Sequence, residues 1–334
     1  MHQSRKRFLV TGGAGFIGSA FIRYGLSHHR QCEKIVNLDI LTYAADLRNL
    51  TSAEADSRYQ FVHGDIRDEA LVERLCVEHN IDTIVHFAAE SHVDRSILGP
   101  RAFFETNVGG TLSLLEVVRR QRHIHFHHIS TDEVYGALTH DGTFSEDSPY
   151  RPNSPYSASK AASDHFVRAY AHTYGLSTTI SHCTNNYGPC QNVEKLIPRM
   201  IAGCFHKKPL PIYGEGVNVR DWIFVDDHSE AVWSILEKGE VGNVYDVGGE
   251  CERRNIDLVH SLIYEFAHLK EKDPKDFMSL ITFIGDRPGH DFRYAIDCSK
   301  IKQELGWRPL HDLSSGIRKT IAWYLENPER LEIS

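Results

Sequence analysis

Short apolar runs alternate with amphipathic stretches through the first half of the chain. Phe8-Leu9-Val10, Lys34-Ile35-Val36-Asn37-Leu38, Tyr59-Gln60-Phe61-Val62 and Thr83-Ile84-Val85-His86-Phe87 read as buried strands. The stretches 16–24, 71–78 and 110–119 carry apolar residues at helical spacing. Strands separated by helices run parallel, so this order predicts an α/β fold with helices on both faces of a parallel sheet. After about residue 187 the regularity breaks, and Pro189, Pro198, Pro209 and Pro211 punctuate a looser region. Trp222-Ile223-Phe224-Val225, a helical stretch 227–237 and Val244-Tyr245-Asp246-Val247 then look like sheet elements again. The expected organisation is one part from 1–187 plus about 222–250, interleaved with a smaller α/β lobe from about 188–221 plus 251–334.

Composition narrows the function classes. The 334 residues are long enough for one large core and a second lobe. A net charge of −8 argues against a nucleic-acid or membrane-surface partner, since both call for a basic face. The basic start is not followed by an apolar signal core, and no run of about 18 apolar residues predicts a membrane span. The seven cysteines are scattered without a C-x-x-C, the pattern of reduced thiols in the cytoplasm. Histidine is frequent, with 21 copies, and clusters at His123, His125, His127 and His128. The alternation ahead of Ile129-Ser130 looks like a strand with His123, His125 and His127 on one face, and since no carboxylate or cysteine has matching spacing, the imidazoles are read as lying at a strand entrance and loop, with no metal site.

Gly12, Gly13, Gly15 and Gly18 follow the first strand and open a helix through Phe16 and Ile17. A glycine turn there lets the backbone approach a pyrophosphate, and the helix N-terminus supplies N–H donors. Asp39 ends the second strand 21 residues after Gly18. A carboxylate at that place accepts ribose hydroxyls and repels a 2′-phosphate, which favours NAD over NADP. The expected fold is therefore a Rossmann-like doubly wound sheet. Asp65 and Ile66, after the third strand, are candidates to flank the adenine.

Ser130-Thr131-Asp132-Glu133-Val134-Tyr135-Gly136 and Tyr156-Ser157-Ala158-Ser159-Lys160 carry the chemistry. Tyr156 and Lys160, four apart, share a helix face. A free tyrosine is a poor base near neutrality, and a nearby ammonium together with a positive nicotinamide ring favours its phenolate. Tyr156 then takes the proton of an alcohol as hydride leaves the same carbon, with Thr131 bonded to that hydroxyl. Asp132 and Glu133 suit delivery of one proton and removal of another. Oxidation combined with acid/base elimination is the profile of a dehydratase that borrows a hydride.

With these motifs, the segment 86–96 (His86-Phe87-Ala88-Ala89-Glu90-Ser91-His92-Val93-Asp94-Arg95-Ser96), Asn185-Asn186-Tyr187-Gly188-Pro189, Arg220-Asp221-Trp222 and Asp286-Arg287-Pro288-Gly289-His290-Asp291 make the chain similar to the dTDP-glucose 4,6-dehydratase family of the extended short-chain dehydrogenase/reductase superfamily. The resemblance runs from residue 7 to about 325. It implies Tyr156 as base for sugar oxidation with Lys160 as partner, Glu133 as carbon-5 base, Asp132 as acid at the carbon-6 hydroxyl and Thr131 as a substrate contact. It implies tightly bound NAD held by the glycine turn with Asp39, Ile40, Leu41, Thr42, Asp65, Ile66, Phe87, Ala88, Ala89, Ser91, Thr106, Tyr156, Lys160 and Asn186. The sugar nucleotide falls to Ser91, Asn185, Lys195, Leu196, Pro211, Tyr213, Arg220, Asn255, Arg287 and His290. The implied reaction converts dTDP-D-glucose to its 4-keto-6-deoxy product, with another NDP-glucose such as UDP-glucose, or a nucleotide-sugar 4-epimerase, as alternatives. A homodimer is expected through the helix around 106–119 and the one starting at Tyr156. The chain departs from the family pattern at His182, where an arginine is common, and at Asn192, Val193, Ala45, Asp46 and Phe292.

Overall fold

The computed structural model describes residues 5–139, 141–286 and 289–332. Among them, six strands and then a seventh build the main sheet: β1 Arg7–Thr11, β2 Lys34–Asp39, β3 Tyr59–His63, β4 Thr83–His86, β5 His125–Thr131, β6 Thr178–Cys183 and, later in the chain, Val244–Val247. Between these last two come β7 Asn185–Tyr187, β8 Leu210–Tyr213 and β9 Val219–Phe224, so Val244–Val247 is β10. The main sheet has the order β10-β6-β5-β4-β1-β2-β3, and its pairs are parallel. The strand order reverses beside β1, where open α/β sheets bind ligands.

The predicted helices are present as α1 Phe16–His28 and α2 Glu69–Glu78. After the short α3 Val93–Leu98 and α4 Pro100–Phe103, residues Phe104–Gly110 wind as a π-helix before α5 Thr111–Arg120. The catalytic candidates lie on α6 Pro155–Tyr174. Both faces of the sheet are covered. On one, Leu9, Val36, Ile84 and Phe126 pack with Leu75, Leu114, Val118 and Val167 of α2, α5 and α6. On the other, Phe8, Val10 and Ile35 pack with Phe21 and Trp233, whose rings stack at 4.8 Å. Gly25 makes that approach possible, since a Cβ there would lie 2.3 Å from Trp233 Cζ2.

Trp222, Ile223 and Phe224 belong to β9, which pairs with β7 and with β11 Glu252–Arg254 in a three-stranded sheet, not in the large one. Asp221 fixes this arrangement by accepting from the Gly249 N–H at 2.8 Å. A two-stranded parallel ribbon, β8 with β12 Ile281–Ile284, lies beyond. A second core, with Ile197, Met200, Leu258, Ile263, Phe266 and Ile321, fills this part of the molecule.

The histidine cluster departs from its expected place. His125, His127 and His128 are all buried within β5, not at a strand entrance or loop. Hydroxyls of β6 and the residue before it explain the difference: His125 Nδ1 lies 2.8 Å from Ser177 Oγ, and His127 Nδ1 lies 2.8 Å from Thr179 Oγ1. Imidazoles whose nitrogens find partners are tolerated in a core. Among the described residues no group of three His, Cys, Asp or Glu side chains is arranged to hold a metal ion, and no helix is long and apolar enough to cross a membrane.

Candidate active site

The glycine turn sits against β4. Gly12 has φ +71°, and a Cβ there would fall 2.6 Å from both Ala88 N and Ala88 Cα. Gly18 brings α1 onto the turn, since its Cβ would lie 2.4 Å from Gly12 O. Gly13 faces inward to Asn37, and Gly15 precedes the first helical residue. Asp39 Oδ2 accepts from Ala14 N at 2.9 Å and Oδ1 accepts from Leu41 N at 2.8 Å. Each oxygen keeps a lone pair for a ribose hydroxyl. Burial raises the Asp39 carboxyl, and the two backbone donors oppose this. A backbone cradle that a side chain would fill, a helix N-terminus and a ribose-facing carboxylate fit a dinucleotide.

Local chemistry also places the second half of the site. Ser154 caps α6 in a reciprocal box with Ser157, Pro155 occupies the first turn, and Gly175 ends the helix at φ +67°. Such a cap contributes about 1 kcal/mol. Tyr156 and Lys160 thus stand on the first turns, above the end of β5. Thr131 ends that strand, and its hydroxyl accepts from Glu133 N at 3.3 Å, starting the single turn Asp132–Tyr135. Gly136 closes the turn at φ +88°, with Arg151 O 2.4 Å from where a Cβ would be.

The electrostatics divide the two carboxylates and the phenol. Asp132 is 2% exposed and its Oδ2 finds no partner among the described residues. Burial, then Glu133 and Asp221, hold its carboxyl well above the usual range, against Arg220 and a Thr131 hydrogen bond. Its surroundings therefore favour the neutral form. Burial likewise raises the Tyr156 phenol well above its ordinary value, reinforced by Glu133 and opposed by a hydrogen bond with Thr131. The Lys160 ammonium donates to Ile129 O at 2.7 Å, and burial lowers it to about 8. The chain's own groups favour the neutral phenol, because burial and Glu133 dominate.

These elements enclose a cavity of about 530 Å3. Gly12, Gly15, Phe16, Ile17, Gly18, Asp39, Ile40, Thr42, Asp65, Ile66, Phe87, Ala88, Ala89, Ser91, Thr106 and Asn186 line it, as do Thr131, Asp132, Glu133, Tyr156 and Lys160. Leu41, at φ +57° and exposed, and Gly13 are not part of the wall. Of the sugar-nucleotide candidates, Ser91, Asn185 and Lys195 also line the cavity, and Lys195 Nζ donates to Ser91 O at 3.2 Å. Leu196, Pro211, Tyr213, Arg220, Asn255 and His290 lie outside this wall. Tyr213 donates to Asp94 Oδ2 at 3.2 Å, and its ring meets His290 edge-on at 6.2 Å. Arg220, expected on a diphosphate, is 5% exposed, and its guanidinium donates to Asp291 O at 2.9 Å and lies over the Tyr294 ring at 4.3 Å. Arg287 falls outside the described residues.

Several wall residues were not singled out from sequence. Arg67 pairs with Asp65 at 2.6 Å, and Glu90, Glu105, Gln191 and Glu194 also face the cavity. Adjacency to Asp65-Ile66 was the available signal for Arg67. Thr106 reaches the cavity from the π-helix, whose Asn107 accepts from Glu90 N at 2.8 Å and donates to Ser159 Oγ at 2.8 Å. π-Helical turns concentrate at functional sites.

Known proteins match this arrangement. The family model described as GDP-mannose 4,6 dehydratase matches residues 9–320. A dTDP-glucose 4,6-dehydratase of Xanthomonas campestris pv. campestris is 53% identical over 330 residues, 96% of this chain and 93% of that protein. A dTDP-glucose 4,6-dehydratase from Streptomyces venezuelae, solved with NAD bound, superposes with a TM-score of 0.92 at 45% identity, covering 98% of this chain and 100% of that one. A UDP-glucose 4-epimerase from Thermotoga maritima, solved with UDP-glucose, superposes with a TM-score of 0.85 at 27% identity, over 96% of this chain and 99% of that one. Dehydratases and epimerases thus share the scaffold, and the sequence match favours the former.

Proposed function

The chain belongs to the dTDP-glucose 4,6-dehydratases, and from that membership we propose how its side chains divide the NAD-dependent conversion of dTDP-D-glucose to dTDP-4-keto-6-deoxy-D-glucose. Bound NAD would supply reversible hydride acceptance at carbon 4 and the positive charge of its oxidised ring. The glycine turn, Asp39 and the flanking wall hold it. Thr131 orients the carbon-4 hydroxyl, and Tyr156, as the phenolate that the cofactor's positive ring would favour, takes its proton. Lys160, held on Ile129 O, keeps a positive charge next to that phenol. The carbon-4 ketone acidifies the carbon-5 proton, which Glu133 removes. Asp132 gives its proton to the carbon-6 hydroxyl, which leaves as water. Glu133, its proton exchanged with solvent, then protonates carbon 5 as hydride is delivered to carbon 6. Tyr156 ends the turnover holding the proton that Asp132 has spent, and its transfer from Tyr156 to Asp132 through solvent returns both groups to their starting states.

The observation that carries this reading is the buried Asp132 carboxyl, adjoining Glu133 and facing the same cavity as Tyr156 and Lys160. An epimerase has no use for that pair. The test uses substrate deuterated at carbon 4 in deuterated water. Label on carbon 6 with a solvent deuteron at carbon 5 is the expected product. A product that keeps its carbon-6 hydroxyl and differs at carbon 4 would establish epimerisation instead.

We further propose a homodimer through the helix around 106–119 and α6. Exposed Phe104, 64% accessible, and Phe166 support it. A single-chain mass in light scattering would rule it out. Leu196, Pro211, Tyr213, Arg220, Asn255, Arg287 and His290 are proposed to shape the sugar-nucleotide end, with about 188–221 plus 251–334 as the substrate lobe and 1–187 plus about 222–250 as the NAD-binding part. A cytoplasmic setting in deoxysugar synthesis accords with the scattered reduced thiols.

A further inference from the structure

His182 lies on β6 behind the site, at 0% exposure, between two carboxylates. Its Nε2 is 3.1 Å from Asp164 Oδ2 and its Nδ1 is 3.0 Å from Asp246 Oδ1. Asp164 is on α6, one turn beyond Lys160, and also accepts from Ser130 Oγ of β5 at 2.9 Å. Asp246 is on β10 and accepts from the hydroxyl of Tyr135, in the turn that begins with Asp132-Glu133, at 2.9 Å. One imidazole therefore joins β6 to α6 and β10, and through the two carboxylates to β5 and the turn.

A tyrosine hydroxyl also reaches each ring nitrogen, Tyr135 at Nδ1 and Tyr150 at Nε2, both at 2.8 Å, and the two carboxylates favour the charged ring. A neutral imidazole has one N–H, and an ionised carboxylate only accepts. With a carboxylate at each nitrogen, a neutral ring would turn a lone pair on one of them in a dry interior. The imidazolium donates at both ends. We infer that His182 is a positioning residue for the dehydration, a buried imidazolium that holds the helix bearing Tyr156 and Lys160 in register with the strand end bearing Thr131, Asp132 and Glu133. This rests on the roles proposed above for those side chains.

The surroundings agree. Burial alone would lower His182, but the hydrogen bonds to Asp164 and Asp246 outweigh it and raise the ring to about 9. From β5, His128 lies 3.3 Å from Asp164, and burial drops it to about 4, so it adds no charge. Tyr150, from the loop before α6, places its hydroxyl 2.8 Å from Nε2 and is flanked by His165 and Arg168 of α6. From the same loop, Glu146 accepts from Asp246 N at 3.0 Å. A group raised on folding stabilises fully below its unfolded value of about 6.5 and loses that contribution as pH rises through its folded one. The clamp is therefore in place at neutral pH and released near pH 9.

The test uses the NAD-loaded protein. Nitrogen NMR of 15N-imidazole-labelled enzyme should show one histidine protonated at both nitrogens from about pH 6 to 8. That signal should vanish in His182→Arg. His182→Gln should lower kcat about 10- to 100-fold, the scale of a misplaced reacting group, with KM changed by less than about twofold. His182→Arg, which keeps two charged donors, should recover most of the loss. A neutral His182 at pH 7, an unchanged kcat in His182→Gln, or equal losses in both variants would overturn the inference. Should His182→Gln fail to fold, the wild-type spectrum still decides. Because the spectrum does not depend on turnover, it stands or falls apart from the assignment of Tyr156.

Discussion

Replacing Asp132 by asparagine should slow the enzyme and stabilise it, with the second effect tied to pH. The side chain is almost fully buried, and its carboxyl is raised by burial, by Glu133 and by Asp221. In the unfolded chain it ionises near the ordinary value of about 3.9. A folded value above the unfolded one contributes stability only below about pH 3.9 and subtracts it as pH rises toward the folded value. Each pKa unit of difference is worth about 1.4 kcal/mol. Asparagine removes the linkage, so the variant's Tm should exceed wild type by most at pH 8, and the gap should close as pH falls towards 4. The amide nitrogen inherits the place of Oδ2, which lacks a partner, so a constant offset can accompany the trend. The pH slope of the gap is thus the quantity to measure, by calorimetry across a buffer series. Loss of a general acid costs about 10²–10⁴-fold in rate, about 3–5 kcal/mol of barrier. A gap that is flat with pH, or kcat within threefold of wild type, would refute the assignment of a neutral acid here.

Other substitutions test the remaining parts of the site. Tyr156→Phe should reduce turnover about 10²–10⁴-fold while dTDP-glucose binding, measured by calorimetry, is kept. Gly12→Ala should abolish NAD retention through gel filtration, because its Cβ would collide with the Ala88 backbone and the left-handed φ adds about 1–2 kcal/mol of strain. Arg330→Ala should speed NAD release in a stopped-flow displacement assay. Its guanidinium ties Asp46 at 2.7 Å and Asn49 at 3.0 Å, and Asp46 N in turn donates to Ala14 O of the glycine turn at 2.9 Å.

The cofactor half was legible because its signals are local. Phe8-Leu9-Val10 ahead of Gly12–Gly18, and Asp39 at the end of the next strand, encode backbone geometry within a few residues. The polar strand β6 carries no such signal. Thr178, Thr179, Ser181 and His182 are buried there only because β5 and Asp164 meet them from far along the chain. The same holds for Arg220, which sequence chemistry aims at a phosphate but which donates to carbonyls supplied by residues 291 and 292. The π-helix before α5 also escaped, since 110–119 has helical spacing but 104–109 lies outside that window.

The path of the chain between sheets has a consequence for how such a protein can change. It leaves the large sheet after β6, builds β7, β8 and β9, returns as β10, and leaves again for β11 and β12. A fragment that ended with β9 would bare the flank of β6 and strip Trp233 from Phe8 and Phe21. An open strand flank of that kind invites pairing with other chains. Neither half can therefore be traded as a cassette by recombination at one junction. New substrate preferences in this architecture have to accumulate by point changes and loop insertions, within a scaffold inherited whole.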